Sequence, residues 1–299
     1  MNLITTMPSI ADKAMKVKLS RGTGYARIRD KEAEKLVKDQ LGDQGQTVTK
    51  AIFKDKNCLI YRRSQLANEM YLYHVDNTLP HTDDGWRVLP NPLYLEYTSQ
   101  MGAYSQQLQM MEQQIIATYH QLVATDIAQR NAGLAAQGKA STASVNDYPT
   151  LDHMKRLLYV QYYFEPINTA NDFRYEMNEA DKSRLNDLVK EIEDNAKRDL
   201  YTRMLDPMKA FVDKLAVYKG DKGQRLHDSV VTNINDMLTK LPRLNLDNDP
   251  VLQQMLDEVK VLVTPYVFNT DALRDDEVTR DAARDKMEKL MNRYAGYAL

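Results

Sequence analysis

Residues 92–131 carry apolar side chains at alternating intervals of three and four, and this spacing constrains the fold more than any other feature. Such a heptad rhythm places one apolar stripe along a single face of a helix. Because a stripe left in water would be an exposed apolar patch, the helix needs a second helix from the same chain or from another copy. The predicted interaction seam, interrupted by the polar Thr118, consists of Tyr94, Tyr97, Met101, Tyr104, Leu108, Met111, Ile115 and Leu122.

Further helical patterns follow the seam. One helix is predicted from Asn178 to about Tyr218, kinked or divided at Pro207, and another is predicted to close at Pro242. Asp249 and Pro250 are typical of a helix start, and a charged helix is predicted over about 275–294. The predicted fold is mainly α, with long antiparallel helices forming an elongated bundle beside a small α+β N-terminal region.

The strongest strand signals lie near the N-terminus. Residues 47–53 and 58–61 alternate in polarity and are separated by Lys54-Asp-Lys-Asn57, so they predict a β-hairpin. After Thr150 as a cap, residues 151–164 predict another helix. The predicted organisation is a small basic α+β region with a β-hairpin over 1–91 and a long-helix bundle over 92–299. Residues 132–147 are small, polar and low in complexity, and they predict a flexible tip or linker.

Charge is distributed unevenly, although the net charge is only −2. Residues 1–63 hold 14 Lys and Arg against 7 Asp and Glu, while the remainder is acidic. A basic segment is typical of phosphate-backbone binding, and a solvated, mobile terminus is the alternative. The candidate nucleic-acid contacts are Lys13, Lys16, Lys18, Arg21, Tyr25, Arg27, Arg29 and Lys31.

Motifs of catalysis are absent from the sequence. It contains no P-loop, G-x-S-x-G elbow or H-E-x-x-H helix, and no histidine follows a glutamate by three positions as a di-iron bundle requires. Gly22 and Gly24 form only a G-x-G, without the third glycine of a dinucleotide fingerprint. We therefore expect no catalytic residue, no cofactor, no resident metal and no small-molecule substrate. His81 with Asp83 and Asp84 is the one histidine–carboxylate cluster, where a metal or acid–base site competes with an ordinary turn.

The single cysteine, Cys58, excludes an intramolecular disulfide and a multi-thiolate metal site. It points to a reducing compartment, and no signal peptide or membrane-spanning run is present, so we expect a cytoplasmic location with no membrane partner.

Spaced motifs in the second quarter of the chain and beyond suggest a family. They are Thr78-Leu-Pro80, Asp84-Gly-Trp-Arg-Val-Leu-Pro90, Asp147-Tyr-Pro149, Glu165-Pro-Ile167 with Asp172-Phe-Arg174, and Leu241-Pro-Arg-Leu-Asn245 with Asp249-Pro250. Over residues 45–260 the chain resembles uncharacterised, mostly helical proteins encoded by tailed phages. The resemblance transfers no catalytic residue. It implies the cytoplasm of an infected host cell, and the genes for AAA+ ATPases and von Willebrand A-type proteins beside some relatives imply an adaptor or co-chaperone role.

Two functions follow from these patterns. The leading prediction is a non-enzymatic phage interaction or adaptor protein that self-associates as a homo-oligomeric coiled coil or docks an ATPase-type partner through the seam. The alternative is a nucleic-acid-binding protein of phage replication or recombination that uses the basic segment. Whether the seam packs within one chain or between chains remains open at this level, because a heptad stripe fits both arrangements.

Overall fold

The computed structural model describes residues 9–24, 27–42, 45, 47–82, 85–140, 143–169, 177–220 and 224–299. The chain is mostly helical, with 69% helix against 9% strand, which confirms the predicted mainly α class. The helices are α1 Ile10–Lys13, α2 Lys31–Leu41, α3 Leu59–Asp76, α4 Tyr94–Ala135, α5 Leu151–Leu157, α6 Glu179–Val217, α7 Ser229–Leu244, α8 Pro250–Val263, α9 Asp271–Asp275 and α10 Glu277–Tyr294. The strands are β1 Ala14–Arg21, β2 Arg27–Arg29, β3 Thr49–Ala51, β4 Leu79–Pro80, β5 Trp86–Pro90 and β6 Val160–Pro166.

The chain forms two compact units, each built from separate segments. Unit 1 comprises Met1–Lys18, Val75–Leu95 and Tyr163–Leu299, and unit 2 comprises Leu19–His74 and Glu96–Tyr162. The predicted division into a region over 1–91 and a helix bundle over 92–299 stays a prediction.

Four strands form the larger sheet, in the order β4-β5-β1-β6. β1 runs antiparallel to β5 with Ala14 opposite Pro90 and Lys18 opposite Trp86. β4 and β5 pair as a hairpin, and Gly85 in its turn has a φ of +75°, a conformation that glycine adopts without strain. Of the residues that connect the two strands, Asp83 and Asp84 lie outside the described part of the chain.

The hairpin predicted from residues 47–53 and 58–61 is wrong. β3 pairs with β2, and the segment that follows Cys58 is the first turn of α3. Ile60, Ala67 and Met70 are fully buried at helical spacing. Packing of that face outweighs the local strand preference of Cys58-Leu-Ile-Tyr61.

The helix predicted over 151–164 is also shorter than expected. α5 ends at Leu157, and Val160–Pro166 is the strand β6. This stretch is rich in aromatic residues, which strands favour, and its first residues alternate between half-buried and exposed positions. The Thr150 cap is confirmed, since its hydroxyl accepts a hydrogen bond from the His153 N–H at 3.3 Å.

The long helices α6, α7, α8 and α10 all belong to unit 1, where α6 contacts α7 and α10, and α8 also contacts both. α6 continues through Pro207, because Met204, Met208 and Phe211 are fully buried around it and their packing offsets the lost backbone hydrogen bond. α7 likewise continues past Pro242 to Leu244.

Helix starts in this unit use polar caps. Asp249 accepts hydrogen bonds from the Val251 and Leu252 N–H groups, as its position before Pro250 predicts. The charged helix predicted over about 275–294 is confirmed as α10, Glu277–Tyr294, which Asp276 caps after the short α9. Within the described part of the chain, no helix is long and apolar enough to cross a bilayer.

Candidate interaction surfaces

The predicted seam on α4 is largely an internal packing face. Tyr97, Met101, Leu108 and Ile115 are at most 1% exposed in the single chain. Of the remaining seam residues, Tyr104, Met111 and Leu122 are half-buried, and Tyr94 is exposed. Four central members of the seam are thus already covered by their own chain.

Beyond Ile115 the buried stripe departs from the heptad positions. Thr118 is exposed, and its hydroxyl donates a hydrogen bond to the Gln114 carbonyl of the same helix. Tyr119, Val123 and Asp126 are buried instead. A straight helix turns every 3.6 residues, so a 3.5-residue pattern drifts around its surface unless the helices supercoil.

The lower part of α4 packs into one apolar cluster of unit 2. Its buried members are Ile52, Phe53, Ile60, Ile115, Tyr119, Val123, Tyr148, Met154 and Leu158, and Leu122 packs against them. Closer to the helix start, the Tyr97 hydroxyl and His74 Nδ1 are 2.7 Å apart, and the Tyr73 ring lies 6.0 Å from the rings of Tyr97 and Tyr104. The seam therefore fulfils its packing requirement inside the monomer.

A buried carboxylate that the seam analysis did not predict lies on the same face. Asp126 is 6% exposed and accepts hydrogen bonds from the Tyr148 hydroxyl at 2.5 Å and from the Phe53 N–H at 3.3 Å. Arg130 donates to the Tyr148 hydroxyl at 3.1 Å. Phe53 has a φ of +56°, which is rare for a bulky residue. Asp126 therefore fixes a strained backbone turn against α4.

This cluster predicts sensitivity to alkaline pH. Burial raises the pKa of Tyr119 and of Tyr148 to about 12, and the hydrogen bond to Asp126 contributes to the shift at Tyr148. Between the ordinary pKa of 10 and 12, the unfolded chain releases these protons while the folded chain keeps them, so stability falls as pH rises through this window. The free energy of unfolding in urea, measured between pH 10 and 12, should fall less with pH for the double variant Tyr119→Phe with Tyr148→Phe than for the wild type. An unchanged pH slope in that variant would contradict the assignment.

The basic segment has carboxylate partners at several of its cations. Lys13 lies 2.8 Å from Asp247 and Lys16 lies 2.9 Å from Glu165, measured between Nζ and the carboxylate oxygen. Lys16 also lies over the Trp86 ring, 4.7 Å from its centroid, and Lys18 lies 5.8 Å from it.

Unit 2 holds the other described members of the segment. Arg29 Nε is 2.7 Å from both carboxylate oxygens of Glu34, and Arg21 donates to Asn68 at 2.8 Å while covering the Tyr71 ring. Tyr25 and the side chains of Arg27 and Lys31 lie outside the described part of the chain. The described contacts neutralise charge that a phosphate backbone would need.

The histidine–carboxylate loop is described only at His81, because Asp83 and Asp84 lie outside the described residues. Across the described residues, no group of three or more His, Cys, Asp and Glu side chains is placed to hold a metal ion. Cys58 is half-buried, and burial raises the pKa of its thiol.

Arg87 and Arg203 form a polar cluster in unit 1 that the sequence analysis did not identify. Arg87 donates to the Thr78 hydroxyl at 2.6 Å, and both arginines donate to the Thr78 carbonyl, at 3.0 Å and 2.7 Å. Burial raises the pKa of Asp199, although Arg203 Nε lies 2.7 Å from its Oδ2 and Arg87 is also nearby. Lys240 pairs with Asp76 at 2.7 Å beside them. These contacts fasten the β4–β5 hairpin to α6.

An apolar groove open to solvent lies between α8 and α10 in unit 1. Its volume is about 620 Å³. Its floor and edges carry Val261, Leu262, Pro265, Tyr266, Ala283 and Leu290. Val261 is 77% exposed, although the opposite face of α8 is packed in the core.

The two sides of this groove carry opposite charge. Asp257 and Glu258 lie on the α8 side, and Lys286, Lys289 and Arg293 lie on the α10 side. Glu258 and Arg293 close the groove at one point, with 2.7 Å between Oε2 and Nη1. Asp257, Lys286 and Lys289 are exposed. The sequence holds one signal for this site. Val261 is an apolar residue of α8 that does not follow the spacing of the buried residues of that helix.

Comparison of the chain with protein-family models, with curated proteins and with solved structures gave no match in any of the three. The function is therefore inferred from the surfaces and contacts of the chain itself.

Proposed function

We propose that the chain is a non-enzymatic interaction protein that binds an α-helix of a protein in the groove between α8 and α10. The main support is that the groove exposes apolar residues such as Val261 to solvent between an acidic side and a basic side. An amphipathic helix lays its apolar face into such a groove, and charged flanks set its orientation.

This proposal moves the docking surface away from the predicted seam. Tyr97, Met101, Leu108 and Ile115 are buried in the folded chain and would have to be uncovered before a partner could contact them. The groove requires no such rearrangement, because Val261 is exposed in the folded chain. An adaptor role toward an ATPase-type partner, as the phage-family resemblance implies, would use this surface.

We also propose that the long helices of unit 1 form the elongated antiparallel bundle predicted from the sequence. Its support is the mutual contact of α6, α7, α8 and α10 within unit 1. Nucleic-acid binding has weaker support, because Lys13, Lys16 and Arg29 each lie within 3 Å of a carboxylate oxygen. We therefore favour a protein partner over a nucleic acid.

Selection of helical peptides tests the proposal directly. A displayed library of amphipathic helices is selected on the full chain and counter-selected on the Val261→Asp variant. We expect enriched peptides with apolar residues at i, i+3 or i+4, and i+7, and with acidic residues that face Lys286 and Lys289. Titration calorimetry should show at least about a tenfold weaker affinity for Val261→Asp, because the variant buries an unpaired carboxylate under the peptide.

The matched control is Val217→Asp, which alters an apolar residue that is 70% exposed at the end of α6 and does not line the groove. It should bind the selected peptides as the wild type does. Peptides that bind the Val261 and Val217 variants equally, or a selection that enriches no helix on a monomeric chain, would overturn the proposed function.

A further inference from the structure

We propose that the helix bound in the groove is α8 of a second copy of this chain, so that two copies pair symmetrically along α8. This inference rests on the proposed function and names the partner of the same site.

The outward face of α8 has the form of a packing stripe. Gln254, Asp257 and Val261, with Thr264 directly after the helix, are exposed and follow one another at intervals of three, four and three. Gln253 and Lys260 are exposed beside them. Val261 is the projecting apolar residue of this stripe and also borders the groove. One surface therefore supplies both the projecting side chain and the depression that would receive it.

The charge pattern matches a two-fold axis parallel to α8. In a symmetric pair, every contact occurs twice with the roles of the two copies exchanged. An axis along the groove brings Asp257 of each copy beside Lys286 and Lys289 of the other, so both sets of contacts are attractive. The alternative two-fold axis lies in the plane between the two copies and runs perpendicular to α8 and α10. It would place the acidic side of one copy on the acidic side of the other, and basic on basic, which is unfavourable.

The same pattern determines which helix enters the groove. Insertion of α10 into the second copy would bring Lys286 and Lys289 of the two copies together. Insertion of α8 brings the two α8 helices side by side, where Glu258 is already neutralised by Arg293 in each chain, and it places Asp257 against the basic side of the other groove. Glu258 and Arg293 are already paired with each other within each chain, so the pairing of the two copies depends on the other charged residues of the groove.

Charge exchange between two variants tests the geometry. In light scattering on a sizing column, the full wild-type chain should dimerise with concentration, and Val261→Asp should be monomeric. Asp257→Lys alone should dimerise at least about tenfold more weakly, as should Lys286→Glu with Lys289→Glu, because two attractive contacts become repulsive in each. Mixing these two variants restores opposite charges at both contacts and should restore the dimer.

The control is a charge change away from the groove, Lys209→Glu, at an exposed position of α6 that does not line it. It should leave dimerisation unchanged, with circular dichroism confirming that each variant is folded. A monomeric wild type that still binds the selected peptides at Val261 overturns the dimer and leaves the proposed function standing. A dimer that Val261→Asp does not weaken, or a mixture that fails to restore pairing, overturns this inference even if peptides bind. Failure of the peptide selection together with a dimer indifferent to Val261→Asp overturns both proposals.

Discussion

Gly22→Ala is expected to lower the free energy of unfolding by about 3 kcal/mol, at the upper end of the range for overpacked sites. A Cβ at this position would lie 2.1 Å from the Leu157 carbonyl oxygen and 2.7 Å from two ring carbons of Tyr159. The carbonyl belongs to the backbone, so the clash cannot be relieved by a rotamer change. The strand pairing around Gly22 would have to move.

The contacts around Gly22 make such a movement costly. Its N–H donates to the Tyr159 carbonyl at 2.8 Å, and its own carbonyl accepts a hydrogen bond from Arg63 Nη1 at 2.5 Å. Arg63 is fully buried, so displacing this acceptor would leave its Nη1 without that hydrogen bond in the interior, where an unmade bond to a charged group is costly. The two glycines of the G-x-G thus serve close backbone packing in unit 2.

Chemical denaturation of the variant beside Gly102→Ala measures this effect. Gly102 lies inside α4, where a Cβ would have no atom within 4 Å. Alanine there should raise the free energy of unfolding by about 0.5–1 kcal/mol. Opposite signs for the two glycine variants are the expected result. A Gly22 variant as stable as the wild type would show that the β1–β6 region adapts without cost.

Asp126→Ala is the second large expected effect, a loss of about 3 kcal/mol. The change leaves the Phe53 N–H and the Tyr148 hydroxyl without their acceptor in the interior of unit 2. It also removes the group that holds Phe53 at its positive φ, a strained conformation that persists only where its surroundings enforce it. The same denaturation measurement applies.

Two companion variants separate the contributions at Asp126. Asp126→Asn keeps an acceptor oxygen of similar shape and should lose less stability than alanine, while Tyr148→Phe removes only one of the two hydrogen bonds. Equal stability of Asp126→Ala and Asp126→Asn would contradict the role assigned to the acceptor.

Periodicity and capping chemistry predicted the elements that depend on local signals. α4, α6 and the Asp249 cap of α8 follow from spacing and from side chains that satisfy free N–H groups. The start of α3 and the strand β6 could not be predicted in the same way. Cys58-Leu-Ile-Tyr61 favours a strand locally, and only the burial of Ile60 and the later α3 residues selects a helix.

The candidate site was less predictable because it needs two helices that are distant in sequence. On α4 the predicted stripe followed a 3.5-residue period, so its position after Ile115 is the polar Thr118, whereas the structure buries Tyr119. Val261 was not predicted, since it lies away from the core face of α8. Several residues of the spaced motifs have packing roles. The Thr78 carbonyl accepts a hydrogen bond from Arg203 of α6, Arg87 donates to the Thr78 hydroxyl, and Tyr148 donates to Asp126.

Discontinuous units also set an order for folding during synthesis. Unit 2 has all its segments once residue 162 has left the ribosome, whereas unit 1 needs Tyr163–Leu299, which take on the order of 10 s to synthesise. Until α6, residues 179–217, has been synthesised within that interval, β4 lacks the helix that contacts it, and Leu79 is without the packing that finally buries it. We expect the nascent chain to hold a folded unit 2 while this strand depends on chaperones.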